Sequence, residues 1–220
     1  MLPGIGLLLC ASALTAQAQP LACQRGAEAY DRHEYAAASA AFTECLHHQL
    51  SDETRENILE YRAYSLLQTG EPAKAALDQR AALSIKKPPD LWPFIMLSVY
   101  QREAGQYDNA LATLKSAGAY SQNELKRPPG PAVFYHAGRA QHQAGRFDEA
   151  VIEYSKAIEK QPGFGETYFY RALSYEAIGD RHSARNDLEE ALRHSATGAR
   201  PPGLLSKASE YGLVSSESQR

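Results

Sequence analysis

The sequence predicts an all-α chain built from repeated antiparallel helical pairs, and three observations carry that prediction. First, Gly145 and Gly179 stand 34 positions apart, and the residues around them match: Phe134 with Tyr168, Ala150 with Ala184, Tyr154 with Leu188, Ala157 with Ala191. Second, Gly105 and Gly70 anchor two more copies upstream, and His33 takes the same place in a first, degenerate one. Third, small residues recur in register. Ala38, Ala75, Ala110, Ala150 and Ala184 follow the turn position by five, and Cys45, Ala82, Ala117, Ala157 and Ala191 follow it by twelve. Gly26, Ala63, Ser98, Gly138 and Ala172 precede it by seven.

Each copy then reads as two apolar-periodic stretches of about a dozen residues around a turn. A glycine at the turn can take positive φ and end the first helix, and Asp108 and Asp148 are placed as N-caps of the second. Small residues on the two helices let their axes approach, and Phe94, Phe134 and Tyr168 fill the space beside them. A pair of this kind cannot bury its apolar face alone, so the copies are expected to stack into a solenoid.

The period, the small-residue rows, the aromatic positions and the closing Pro162 resemble the tetratricopeptide repeat (TPR), most strongly over 91–118 and 131–196. The resemblance implies a right-handed superhelix of about five helix-turn-helix repeats. These are a degenerate one over 19–50, then 56–89, 91–118, 131–164 and 165–198. Two departures are visible: His33 replaces the turn glycine of repeat one, and Pro72 stands where an aromatic normally packs. Residues 119–130 lengthen the spacing by six and read as an insertion loop that bends the stack or protrudes. A capping helix is expected over 199–212, opened by Pro201-Pro202, with Leu204, Leu205, Ala208 and Tyr211 on one stripe. Residues 213–220 form a polar tail.

Residues 1–18 carry no charged side chain, Leu2–Leu14 is apolar, and Ala16-Gln17-Ala18 supplies a small-x-small pattern. This reads as a secretory signal cleaved before Gln19, placing the chain in the periplasm or outside the cell, with membrane contact only through that segment if it is retained. Of the three cysteines, Cys10 leaves with the signal, and the remaining pair, Cys23 and Cys45, suggests a disulfide in an exported chain. Cys23 lies early on one helix of the first hairpin and Cys45 late on the other, so those ends are neighbours. A bond would close a 22-position span and contribute about 3 kcal/mol.

Chemistry is sparse. With 23 Lys and Arg against 26 Asp and Glu, the net charge of −3 offers no field for general nucleic-acid binding. None of His33, His47, His48, His136, His142, His182 and His194 joins a metal-binding spacing, and no nucleophile or phosphate-cradling motif is present. Glu149, Glu153 and Lys156 read as a solvated helix face. The sequence therefore implies no enzyme, no cofactor, no metal and no small-molecule substrate, and a protein or peptide partner in the envelope instead.

In TPR domains the first helices line a concave groove. Carried onto this chain, that groove would show Tyr64 with Tyr30, Glu60 and Gln68, then Trp92, Ile95, Val99 and Arg102 in repeat three. Tyr135, Arg139 and His142 follow in repeat four, and Phe169, Leu173 and Glu176 in repeat five. Trp92, Tyr135, Arg139 and His142 are expected to face solvent and bind, whereas Tyr64, Ile95, Val99 and Leu173 suit packing between repeats as well. The Lys-and-Asn carboxylate clamp of chaperone-binding members is missing, because its positions hold Cys23, Glu60, Ile95, Tyr135 and Phe169; Arg102 and Arg139 still suit a single acidic group. Two functions follow: a scaffold or adaptor that binds a peptide or helix of a partner, or an inhibitor or immunity protein occluding one enzyme through the groove or the 119–130 loop.

Overall fold

The computed structural model describes residues 20–195 and 200–214. The signal segment and the polar tail beyond 214 lie outside them. The described residues form eleven α-helices and no strand, divided into two compact units at Pro89/Asp90.

The first unit holds α1 (Leu21–Asp31), α2 (Tyr35–Cys45), α3 (Asp52–Gln68) and α4 (Pro72–Ile85). The second holds α5 (Trp92–Glu103), α6 (Tyr107–Asn123), α7 (Pro131–Gln143), α8 (Phe147–Lys160), α9 (Gly165–Ala177), α10 (Arg181–Ser195) and α11 (Leu204–Glu210).

Every first helix of a pair ends the same way. Gly70, Gly105, Gly145 and Gly179 sit at φ between 72° and 84°, and His33 adopts φ 61° in their place. The residue after each turn position donates its backbone N–H five residues back, from Glu34 to Ala29, Glu71 to Leu66, Gln106 to Gln101, Arg146 to Gln141 and Asp180 to Tyr175, at 2.8–2.9 Å. This closure needs a left-handed residue. His33 meets the need at a steric cost, and its Nδ1 bonds the Tyr35 hydroxyl at 3.1 Å.

The second helices begin earlier than Asp108 and Asp148 suggest as caps. Gln106 and Arg146 occupy the N-cap positions without a side-chain cap, and both aspartates fall in the first turn, where the helix dipole favours them. At the start of α10, Asp180 does serve as an aspartate cap, accepting the Ser183 N–H at 3.0 Å.

The small-residue rows form the seams. Ala38, Ala75, Ala110, Ala150, Ala184 and Cys45, Ala82, Ala117, Ala157, Ala191 are all buried. The residue seven before the turn faces the one nine after it, and the two sizes compensate. Where the first is Gly26 or Gly138, the second is Phe42 or Tyr154. Where it is Ala63, Ser98 or Ala172, the second is Gln79, Leu114 or Leu188. A Cβ on Gly138 would meet the Tyr154 ring at 2.6 Å, and one on Gly26 would strike Phe42.

Repeats two and five share a polar latch. Arg62 on α3 grips Asp78 on α4 through Nε and Nη2 at 2.7 Å each, and its Nη1 donates to Thr43 Oγ1 on α2. Arg171 on α9 grips Asp187 on α10 at 2.7 and 2.8 Å, with Nη1 on Ser155 Oγ of α8. Each latch fastens a pair internally and ties it to the preceding helix. Repeats three and four carry Leu97 and Ala137 at the arginine position. Beside Ala137 lies a cleft of about 270 Å³ bordered by Leu111, Leu114, Val133 and Phe134.

The stretch expected as an insertion loop behaves differently in its two halves. Residues 119–123 extend α6, and 124–130 fold back, with Lys126 at φ 53° and Ser121 bonded to Arg127 through both its carbonyl and its hydroxyl. At the C-terminal side α11 begins at Leu204 after Gly203 at φ 83°, later than a Pro201 start. Leu204 and Tyr211 pack with Tyr168, Phe169, Ala172 and Leu188, covering the last pair, and Ala208 is buried on the same helix.

Candidate functional site

Cys23 and Cys45 are both buried in the first unit, with Cα atoms 4.9 Å apart and sulfurs at disulfide distance. Tyr64 belongs to the same unit. Its ring lies 5.7 Å from those of Tyr30 and Tyr35, and Tyr30 reaches Tyr61 at 5.0 Å, so four tyrosines pack edge to face. Glu60 accepts from Gln79 at 3.4 Å, and Gln68 is exposed.

The other expected groove residues lie in the second unit and separate into three groups. Trp92 is exposed, at 47% of its surface, at the start of α5, where its backbone N–H is held by Asp90 Oδ1 at 2.8 Å. Ile95 and Phe169 are core: Ile95 packs with Leu91, Leu114 and Val133, and Phe169 with Leu188 and Leu204. Glu176 is taken by the C-terminal helix, accepting Lys207 Nζ at 3.1 Å and the Tyr211 hydroxyl at 3.3 Å.

The third group is a cluster around Arg139, and it corrects the expectation for Tyr135. That ring is only 8% exposed, wedged against Phe164, Tyr154 and Tyr170 at 5.8–6.3 Å, because its register falls between successive pairs. Its hydroxyl donates to Glu166 Oε1 at 2.8 Å and accepts from Arg139 Nη1 at 2.9 Å. The Arg139 guanidinium stacks on Tyr170 with Cζ 3.8 Å from the ring centroid. His142 is half-buried, its Nδ1 2.9 Å from Ser174 Oγ; burial and then Arg139 lower its pKa.

Arg102 also departs from a surface role. It is 6% exposed, its Nη2 paired with Glu103 Oε1 at 2.8 Å and its Nε and Nη1 buried without a partner. Burial, and next the Arg139 charge, depress its pKa. His136 is a member of the cluster that sequence reading overlooked. Burial, then Arg102 and Arg139, push its pKa down to about 3, so its imidazole is neutral. The adjacent Tyr154 hydroxyl has no partner. Both positions read as helix filler in sequence; the usable signal was that Arg102, His136, Arg139 and Tyr154 all fall on faces turned toward neighbouring helices. Among the described residues no group of His, Cys, Asp or Glu is arranged to hold a metal ion, and no helix is long and apolar enough to cross a membrane.

Comparison with known proteins agrees with the architecture. A tetratricopeptide repeat family model matches residues 95–163. Superkiller protein 3 of Saccharomyces cerevisiae is 24% identical over 133 residues, covering 60% of this chain but only 8% of the yeast protein's length. Among solved structures, a MamA protein superposes with a TM-score of 0.61 at 19% identity, over 89% of this chain and 96% of its own. MamA from Desulfovibrio magneticus RS-1 gives 0.63 at 15%, over 80% and 93%. YrrB, described as a TPR protein with an unusual peptide-binding site, gives 0.58 at 17%, over 87% and 92%. These likenesses establish a shared fold. The tetratricopeptide repeat model is thus seated on residues 95–163, and the same turn and closure recur on both sides of that segment.

Proposed function

We propose that the chain is a non-catalytic interaction scaffold of the cell envelope that binds a peptide or helix of a partner protein along the first-helix face of its second unit. The observation that carries this reading is Trp92, the chain's one tryptophan, which stays half exposed while the rings of Tyr135 and Phe169 are packed away. An exposed indole is the kind of side chain that anchors interfaces. Anchoring therefore falls to Trp92, and Tyr135 serves to position Arg139. Export is supported by the apolar leader and by the Cys23–Cys45 pair, which we read as an oxidised clamp on the degenerate repeat.

The test is photo-crosslinking in cells from benzoylphenylalanine at position 92, with position 159 on α8 as control. One dominant adduct at 92, absent at 159, is expected. Equal adducts at both positions, or none at 92, would remove this face as the binding site. A single enzyme captured with nanomolar affinity would identify an inhibitor; micromolar capture of a short segment would identify an adaptor.

A further inference from the structure

We propose that the cleft beside Ala137, between α6, α7 and α8, receives an arginine side chain of a partner protein, which supplies from outside the latch that repeats two and five build from within. The cleft does not include Trp92, so this site goes beyond the binding face proposed above and stands or falls apart from it.

The same seam recurs along the chain and is closed differently in each copy. In repeats two and five the residue eight before the turn is Arg62 or Arg171. Each grips the carboxylate eight after the turn, Asp78 or Asp187, and a hydroxyl on the preceding helix, Thr43 or Ser155. In repeat three Leu97 is buried at the arginine position, and Gln101, four before the turn, accepts from Thr113 Oγ1 at 2.8 Å.

Repeat four leaves the seam open. Ala137 is too short to cross it, and a space of about 270 Å³ remains against Leu111, Val133 and Phe134. Lys115 and Lys156, which border it, are exposed, so the cleft opens to the surface. The acceptors are kept. Glu153 lines the cleft at the position of Asp78 and Asp187, and Gln141 lines it at the position of Gln101, with its Oε1 buried and without a partner. Glu153 accepts Lys156 Nζ at 2.6 Å, a pair within one helix whose lysine is 45% exposed. Exchanging such a pair for an incoming cation costs little.

An arginine matches all three features. Its fork donates to Glu153 and Gln141 together, and its methylenes lie against the apolar wall. A leucine would fill the space and leave the Gln141 oxygen without a donor. A lysine brings a point charge that cannot span two acceptors in one plane. Lys115 stands where the latched repeats carry a hydroxyl; being long and exposed, it keeps its ammonium in water while its stem lines the wall.

The test is amide NMR on the nitrogen-labelled full chain, titrated with acetylated, amidated Gly-Ser heptapeptides carrying one central Arg, Lys or Leu. Saturable shifts at the Gln141 side-chain amide and the Ala137 amide are expected with the Arg peptide, and binding by the other two should be about tenfold weaker or absent. Ala137→Arg should abolish those shifts and raise the melting temperature, because it installs the latch of repeats two and five. Glu153→Gln should weaken binding at least tenfold, and Glu149→Gln on the same helix should not change it. Absence of shifts with the Arg peptide would overturn the proposal. So would Lys or Leu peptides that bind as tightly, or wild-type binding in Ala137→Arg or Glu153→Gln. Ala137→Leu, which copies repeat three, gives the same blocking test if the arginine variant does not fold. The cross-link at position 92 reports on the other face, so either result can fail without the other.

Discussion

Arg171 and Arg102 are both largely buried arginines on first helices of the second unit, and their surroundings are opposite. Arg171 makes two bonds to Asp187 and a third to Ser155, so every face of its guanidinium is answered from within the fold. Arg102 has one bond to an exposed neighbour and two bare nitrogens. The first arginine fastens three helices together. The second is held against the grain of its environment, its charge disfavoured by burial and by Arg139. Residue type and burial alone do not distinguish them; the counter-charge does.

At neutral pH the largest effect should come from breaking the satisfied side of this contrast. Asp187→Ala strands Arg171 in the interior and should cost about 3 kcal/mol in denaturant unfolding. Replacing both partners by Met and Leu should return most of it, and a double substitution as costly as the single one would show that packing, not charge, does the fastening. Next, Gly138→Ala drives a methyl into the Tyr154 ring behind the Arg102 cluster, at an expected loss of about 2 kcal/mol. Tyr154→Leu in the same chain should recover stability, because Ala172 already faces Leu188 in repeat five. Additive losses in the double variant would refute the size-compensation rule.

Acid should probe the unsatisfied side. His136 titrates near 6.5 when unfolded and at about 3 when folded, so the unfolded chain holds the extra proton between those values. Its contribution is fully present above pH 6.5 and falls by about 1.4 kcal/mol per pH unit as pH drops toward 3. His136→Leu should flatten that part of the stability profile; an unchanged profile would place the histidine in water. Arg102→Met should change stability by no more than about 1 kcal/mol, and in the favourable direction. The smallest effect belongs to His33→Gly, which removes the cost of a left-handed non-glycine residue but also loses the Tyr35 bond, for a net gain of about 0.5 kcal/mol read as a higher melting temperature.

The repeat was legible because its signals are local: a glycine that must take positive φ, and alanines where two helix axes approach. His33 was readable as the missing glycine for the same reason. What escaped depends on neighbours several helices apart. Tyr135 stands at a position that lines a groove in the family pattern, and Phe164, Tyr154 and Tyr170 close over it here. Asp108 and Asp148 missed the cap by two positions, since nothing in composition separates a cap aspartate from a first-turn one. Glu176 was open until Lys207 and Tyr211 of the last helix reached it. The latches were hidden although their spacing is regular, Arg eight before the turn and Asp eight after it, because only two of five copies carry them.

The size rule linking Gly26 to Phe42 and Gly138 to Tyr154 has a consequence for how such chains change over time. A first helix from the fourth repeat carries a notch, and a second helix from the same repeat carries the ring that fills it. Exchange either one with its counterpart from the fifth repeat and the new hairpin holds a void or a collision. Duplication and recombination in this lineage should therefore have moved whole hairpins, with breakpoints in the connectors between pairs and not in the turns within them.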